Sequence, residues 1–163
     1  MHILIKKKYL IFNNYRIKCA LGKRGIGRKK REGDFITPVG QFKIEYILYR
    51  EDRIKRLNTD FKQLIITKKM GWCDDPESKK YNKIIKLPFN YNFEKLYRKD
   101  NIYDVILVLN YNMNPIRKNK GSAIFIHVAK KNYKKTRGCV AIKKTELLKI
   151  LKHIKKNTKI KII

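Results

Sequence analysis

The chain has 163 residues, long enough for one domain with a substantial hydrophobic core, and its 42 Lys and Arg against 13 Asp and Glu give a formal charge of +29. Its longest apolar run is Val105–Leu109, too short for a membrane-spanning helix, and three scattered cysteines without a CxxC do not make a disulfide framework or a cysteine zinc site. The charge would favour polyanionic partners, but the abundance of Lys, Ile and Asn, as an A+T-rich coding sequence gives, favours reading it as a solvated lysine surface.

The first eight residues, Met1 to Lys8, lack the long apolar core of a secretory signal, so no such signal is expected. Residues 3–11 and 15–21 alternate apolar with polar around Asn13-Asn14, which predicts a β-hairpin. Gly22 to Asp34 is rich in glycine and charge and reads as a loop; it is neither a GxGxxG nor a Walker A segment. Thr37-Pro38-Val39-Gly40-Gln41-Phe42-Lys43-Ile44 is a Pro/Gly turn feeding a strand, and Tyr46–Tyr49 reads as strand, with Glu32, Gly33 and Asp34 as candidates for the rim of a cleft.

Leu64–Ile66 is a further short strand, and Gly71-Trp72-Cys73-Asp74-Asp75-Pro76 is expected to begin a loop running to Tyr81-Asn82. Asp74 and Asp75 are read as a turn with an Asx cap rather than as an acid/base or metal pair. Phe93–Tyr97 suggests a helical turn. Tyr103–Leu109 and Gly121–His127 read as two central neighbouring strands, with Tyr103 and Trp72 in the core and Ser122 capping a turn. Thr145 is the expected N-cap of an amphipathic helix that presents Leu147, Leu148, Leu151 and Ile154 on one face. A strand over 158–162 closes the chain. No repeat or linker is visible, and residues 1–163 are taken as one domain.

His127 ends a strand, and Cys139 stands twelve positions on, after Gly138 and before the helix. A nucleophilic cysteine needs its proton removed, a positive field, and backbone N–H groups to hold an oxyanion. His127 is the candidate base and Cys139 the candidate nucleophile. Lys134, Lys135 and Arg137 are expected to favour the thiolate, and the N–H groups around Gly138 and Cys139 are the candidate oxyanion hole. Cys19 and Cys73 are read as structural thiols. No His/Cys/carboxylate cluster at metal spacing occurs, so neither a metal nor a cofactor is expected.

Ile124-Phe-Ile-His127 followed by Thr136-Arg-Gly138-Cys139-Val140 resembles the active-site signature of the L,D-transpeptidase catalytic domain, the YkuD-like family. Thr37-Pro-x-Gly-x-Phe42 and Gly71-Trp-Cys-Asp-Asp-Pro76 with Tyr81-Asn82 resemble further family elements, the latter of a short-chain branch. Arg137 stands where the family usually has a second histidine, and Ala141 where it usually has Arg or Asn.

The resemblance implies a mainly β fold, a β-sandwich with a helix after the catalytic cysteine and few others. It implies Cys139, His127 and Gly138 as catalytic residues, the Val128 carbonyl as the group that orients His127, and Thr136, Arg137 and Val128 as residues near the substrate. The implied activity is cysteine-dependent acyl transfer on peptidoglycan stem peptides, giving a 3→3 crosslink or attachment to the wall by a monomer in the periplasm or cell envelope. Hydrolysis of the same bonds, as a carboxypeptidase or amidase, is one alternative. A basic nucleic-acid-binding or non-catalytic wall-binding module is the other, although no RRM, KH or helix-turn-helix pattern occurs and no specific nucleic-acid partner is expected.

Overall fold

A computed structural model describes residues 2–163. The strands in chain order are β1 (His2–Lys6), β2 (Tyr9–Phe12), β3 (Tyr15–Lys18), β4 (Ile26–Gly27), β5 (Thr37–Pro38), β6 (Gly40–Phe42), β7 (Ile44–Tyr49), β8 (Gln63–Ile65) and β9 (Met70–Cys73). They continue with β10 (Ile84–Lys86), β11 (Phe93–Lys95), β12 (Val105–Leu109), β13 (Phe125–Val128), β14 (Val140–Ile142) and β15 (Lys159–Ile162). One α-helix, α1 (Lys144–Leu151), follows β14. The architecture is mainly β, with a single α-helix near the C-terminus, as expected for the L,D-transpeptidase-like sandwich.

Two five-stranded sheets, β3-β2-β1-β15-β6 and β14-β13-β12-β7-β8, pack over one apolar cluster. Alternation sets the faces: Ile3 and Ile5 of β1 and Ile160 and Ile162 of β15 point inward while their lysine neighbours face water. Strand β12, Val-Ile-Leu-Val-Leu, is buried on both faces. Val105, Leu107 and Leu109 join the cluster between the large sheets. Ile106 and Val108 join a second cluster, with Trp72, Leu96, Tyr103 and Phe125, beneath the small sheet β10-β9-β11.

This layering decides which side chains of β13 meet. Ile126 and Val128 enter the first core, so Phe125 and His127 project to the opposite face. Strand β14 runs parallel to β13, with Ile126 opposite Val140 and His127 opposite Ala141. Parallel neighbours require a crossover. Here residues 129–139 make it without an α-helix, pinned by Thr136 N–H to Leu21 O (2.9 Å) and Lys23 N–H to Thr136 O (3.0 Å).

Several local expectations are corrected. Residues 2–18 form three strands, because Lys7-Lys8 turns the chain a first time before Asn13-Asn14 turns it again. Gly71 lies inside β9, not at the start of a loop; a Cβ there would meet Ile85 Cδ1 at 2.8 Å and Phe93 Cδ2 at 2.9 Å, so close strand packing demands glycine. Phe93–Lys95 is a strand because it pairs with β9, Glu94 opposite Trp72. Thr145 lies within α1, whose N-cap is Lys143 without a side-chain cap. The buried residues of α1 are Leu147, Ile150 and Leu151, while Leu148 is only partly buried.

Candidate active site

On the second face of the central sheet, beside the small sheet, a cavity of about 260 Å³ opens to solvent. His127 and Cys139 both line it. Cys139 immediately precedes β14, which continues the register of that strand to Phe125, and Phe125 N–H contacts Cys139 Sγ at 3.4 Å. His127 is two residues further along the same face, so imidazole and sulfur are diagonal neighbours across the two strands. Among the described residues, Cys139 Sγ contacts Phe125 N and donates to Ala123 O at 3.0 Å, and makes no hydrogen bond to His127.

His127 is 5% exposed. Its Nδ1 lies 2.9 Å from Val128 O, which fixes the proton on Nδ1 and leaves the Nε2 lone pair free. The Tyr103 ring stands edge-on to the imidazole at 5.3 Å and 90°. Burial lowers the His127 pKa to about 4 and raises that of Cys139 to about 12; Glu94 raises Cys139 further, while Phe125 N–H and Lys29 oppose it. Lys134, Lys135 and Arg137 line the cavity, but burial of the sulfur and the Glu94 carboxylate push the Cys139 thiol up, against the expected preference for a thiolate.

The lowered histidine has a consequence for stability. The unfolded imidazole takes up a proton near its ordinary value of 6.5 and the folded one only near 4, so the unfolded state binds more protons between those values. Stability is expected to fall as pH drops through that window, by about 3 kcal/mol from this group. Denaturant titrations at several pH values check this: a His127→Gln variant should lose that share of the pH dependence.

The turn before Cys139 is held by Thr136. Its Oγ1 donates to Cys139 O at 2.6 Å and accepts Gly138 N–H at 3.1 Å. Gly138 N–H is thus engaged in the turn, and the Cys139 N–H is the other candidate donor of the expected oxyanion hole. Gly138 has φ +143°, and a Cβ would stand 3.0 Å from Ile36 O, so the close approach of these two loops requires glycine. Arg137 also lines the cavity, its guanidinium 5.9 Å from the Phe35 ring centroid.

Asn82, 2% exposed, ties the small sheet to the segment that leads into β13, the histidine strand. Its Oδ1 accepts from Trp72 Nε1 and from Ala123 N–H, each at 3.0 Å, and its Nδ2 donates to Tyr111 O (3.1 Å) and Asn112 O (2.8 Å). Ala123 adopts a left-handed φ of 51°, a costly conformation for a residue with a Cβ, and its carbonyl receives the Cys139 S–H.

Of the rim candidates, Glu32 and Gly33 line the cavity. Asp34 is buried and paired with Lys29. Sequence reasoning assigned four cavity-lining residues elsewhere or passed over them: Asp74, Glu94, Tyr103 and Ser122. Asp75 is the turn residue, accepting Glu77 N–H at 3.0 Å and Asn92 N–H at 3.1 Å, whereas Asp74 faces the cavity. Ser122 makes no capping bond. The Trp-Cys-Asp-Asp run was the available signal, but nothing in it says which of the two carboxylates turns inward.

Among the described residues, no group of three His, Cys, Asp or Glu is close enough to hold a metal ion, and no helix is long and apolar enough to cross a membrane. No curated protein matches the chain. The family model for the L,D-transpeptidase catalytic domain (YkuD) matches residues 5–162, nearly the whole length, around the sheet that carries His127 and Cys139, and the chain belongs to that family.

Proposed function

We propose that this chain is a cysteine acyltransferase acting on peptidoglycan stem peptides, with Cys139 as nucleophile and His127 as general base. The supporting observation is that both side chains project from one face of the central sheet into one cavity, with Nδ1 of His127 engaged by Val128 O and Nε2 free. The thiol must leave Ala123 O and turn its proton toward Nε2. Sulfur then attacks the carbonyl carbon between the L- and D-centres, and the Cys139 N–H steadies the developing oxyanion. The C–N bond breaks, the departing amine takes the proton from His127, and a thioacyl-enzyme remains.

An incoming amine reverses these steps to give a crosslink or wall attachment; water in its place gives hydrolysis. Lys130, Lys134, Lys135 and Arg137 line the same cavity and suit the carboxylates of a stem peptide. Thr136 sets the turn that presents the sulfur, and the cell envelope is the compartment in which such a substrate occurs. Incubation with purified muropeptides, read by mass, tests the assignment. Crosslinked dimers with release of the D-residue are expected, shortened monomers alone would mean a hydrolase, and unchanged substrate would contradict the proposal.

A further inference from the structure

The cavity has two signs. Glu32, Asp74 and Glu94 line it together with its lysines and with Arg98 and Arg137, in a chain whose formal charge is +29. Asp34 and Asp104, the most deeply buried carboxylates elsewhere, each hold cations: Lys29 for the first, Arg53 and Lys144 for the second. None of the three cavity carboxylates forms a salt bridge among the described residues. Glu32 accepts the Tyr81 hydroxyl, and Glu94 accepts the Tyr103 hydroxyl at 2.6 Å.

Only two buried side-chain polar atoms among the described residues lack a hydrogen-bond partner, Asp74 Oδ1 and Ser122 Oγ. Both residues line this cavity, and Ser122 is 6% exposed. Asn82 joins their neighbours, since its N–H donates to Cys73 O at 2.9 Å and its Oδ1 accepts from Ala123 N–H. Buried polar atoms are nearly always satisfied, so two orphans in one cavity point to a polar group that completes them. A hydrogen-bond donor would satisfy both, and one carrying positive charge would also meet the Asp74, Glu32 and Glu94 carboxylates.

We propose, on the basis of the acyltransferase reading above, that the wall formed by Asp74, Glu94, Glu32 and Ser122 binds the ammonium head of the acyl-accepting amine, and that Asp74 removes its first proton. Burial and the Glu32 carboxylate push Asp74 above the usual carboxylate range, which suits a proton acceptor. Ser122 adjoins Ala123, whose carbonyl accepts the Cys139 S–H at 3.0 Å, and Asp74, Glu94, Glu32 and Cys139 line the same cavity, which brings the wall to the sulfur. An ammonium N–H proton passes to Asp74 Oδ1, and the freed lone pair attacks the thioester carbon. A C–N bond forms and the C–S bond breaks. The second N–H proton travels by His127 Nε2 to the leaving sulfur, and Asp74 returns its proton to water. The cationic rim thus holds the donor's carboxylates, and the acidic wall selects the amine.

The test compares two nucleophiles on the thioacyl-enzyme of the full chain: glycinamide, an ammonium ion in large part at neutral pH, and methoxyamine, which is neutral there. For Asp74→Asn, the ratio of aminolysis to hydrolysis should fall about 100-fold with glycinamide and hold with methoxyamine; Glu94→Gln should raise the glycinamide KM more than it lowers kcat. An unchanged glycinamide ratio, or an equal fall with both nucleophiles, would overturn the proposal. Binding to the unacylated protein gives a second reading, independent of turnover. Glycinamide should shift NMR signals around the cavity of Cys139→Ala, and adding Asp74→Asn should abolish the shift; equal shifts in both proteins would overturn it. Absence of any thioacyl-enzyme in the unmodified protein would instead count against the acyltransferase reading itself, whatever the amine binding shows.

Discussion

A His127→Gln variant is expected to form the thioacyl-enzyme about 1,000-fold more slowly than the unmodified protein at neutral pH while keeping its fold. The size follows from the resting state of the sulfur. Burial holds the Cys139 thiol near 12, and it donates to Ala123 O, so almost no thiolate exists to react unaided. Proton removal in the transition state must come from a neighbouring base, and His127 Nε2 is the free one on that face. Glutamine fills much of the same space but cannot accept the proton. The rate of the variant should therefore climb with pH toward the thiol's own ionisation, whereas the unmodified protein should be nearly flat above about pH 4, where the imidazole is neutral. Intact-mass time courses at several pH values measure both; a variant within tenfold of the parent would remove His127 from the mechanism.

Asn82→Ala is expected to cost about 4 kcal/mol of stability, and to lower the melting temperature by about 10 °C. Four hydrogen bonds end on this side chain, and the indole of fully buried Trp72 and the Ala123 N–H would both be left without an acceptor. The change also releases the strained Ala123, whose carbonyl fixes the position of the sulfur. Asn82→Asp keeps the acceptor but loses both Nδ2 donors, and should fall between the two. Urea titration provides the measurement. A loss below about 1 kcal/mol for the alanine variant would mean that water or neighbouring groups replace the amide.

The cysteine and histidine that share the cavity stand out in the sequence because their signals are local: an apolar run ending in histidine, and a glycine before a cysteine. The buried central strand was legible for the same reason, as an uninterrupted Val/Ile/Leu segment. The acidic wall was not. Asp74 and Asp75 are adjacent, and only the pairing of β9 with β10 and β11 turns one into the cavity and the other into the turn. Glu94 and Tyr103 meet because a short strand forms where the residue pattern also fits a helical turn, and that strand exists through its partner rather than its own propensity. The upward push on the thiol was not legible for a related reason. Lysines can be counted along a chain, but the loss of water around a side chain depends on the layers above and below it.

The acid wall and the cysteine/histidine pair are separable. The wall acts on the second half of the reaction, the pair on both. The most direct measurement of the pair is intact-mass analysis after exposure to a carbapenem, with peptide mapping of the adduct in the unmodified protein, Cys139→Ala and His127→Gln. A single covalent adduct on Cys139, absent in the alanine variant and slowed in the glutamine variant, is the predicted result; an unlabelled native protein, or label on Cys19 or Cys73 instead, would contradict it.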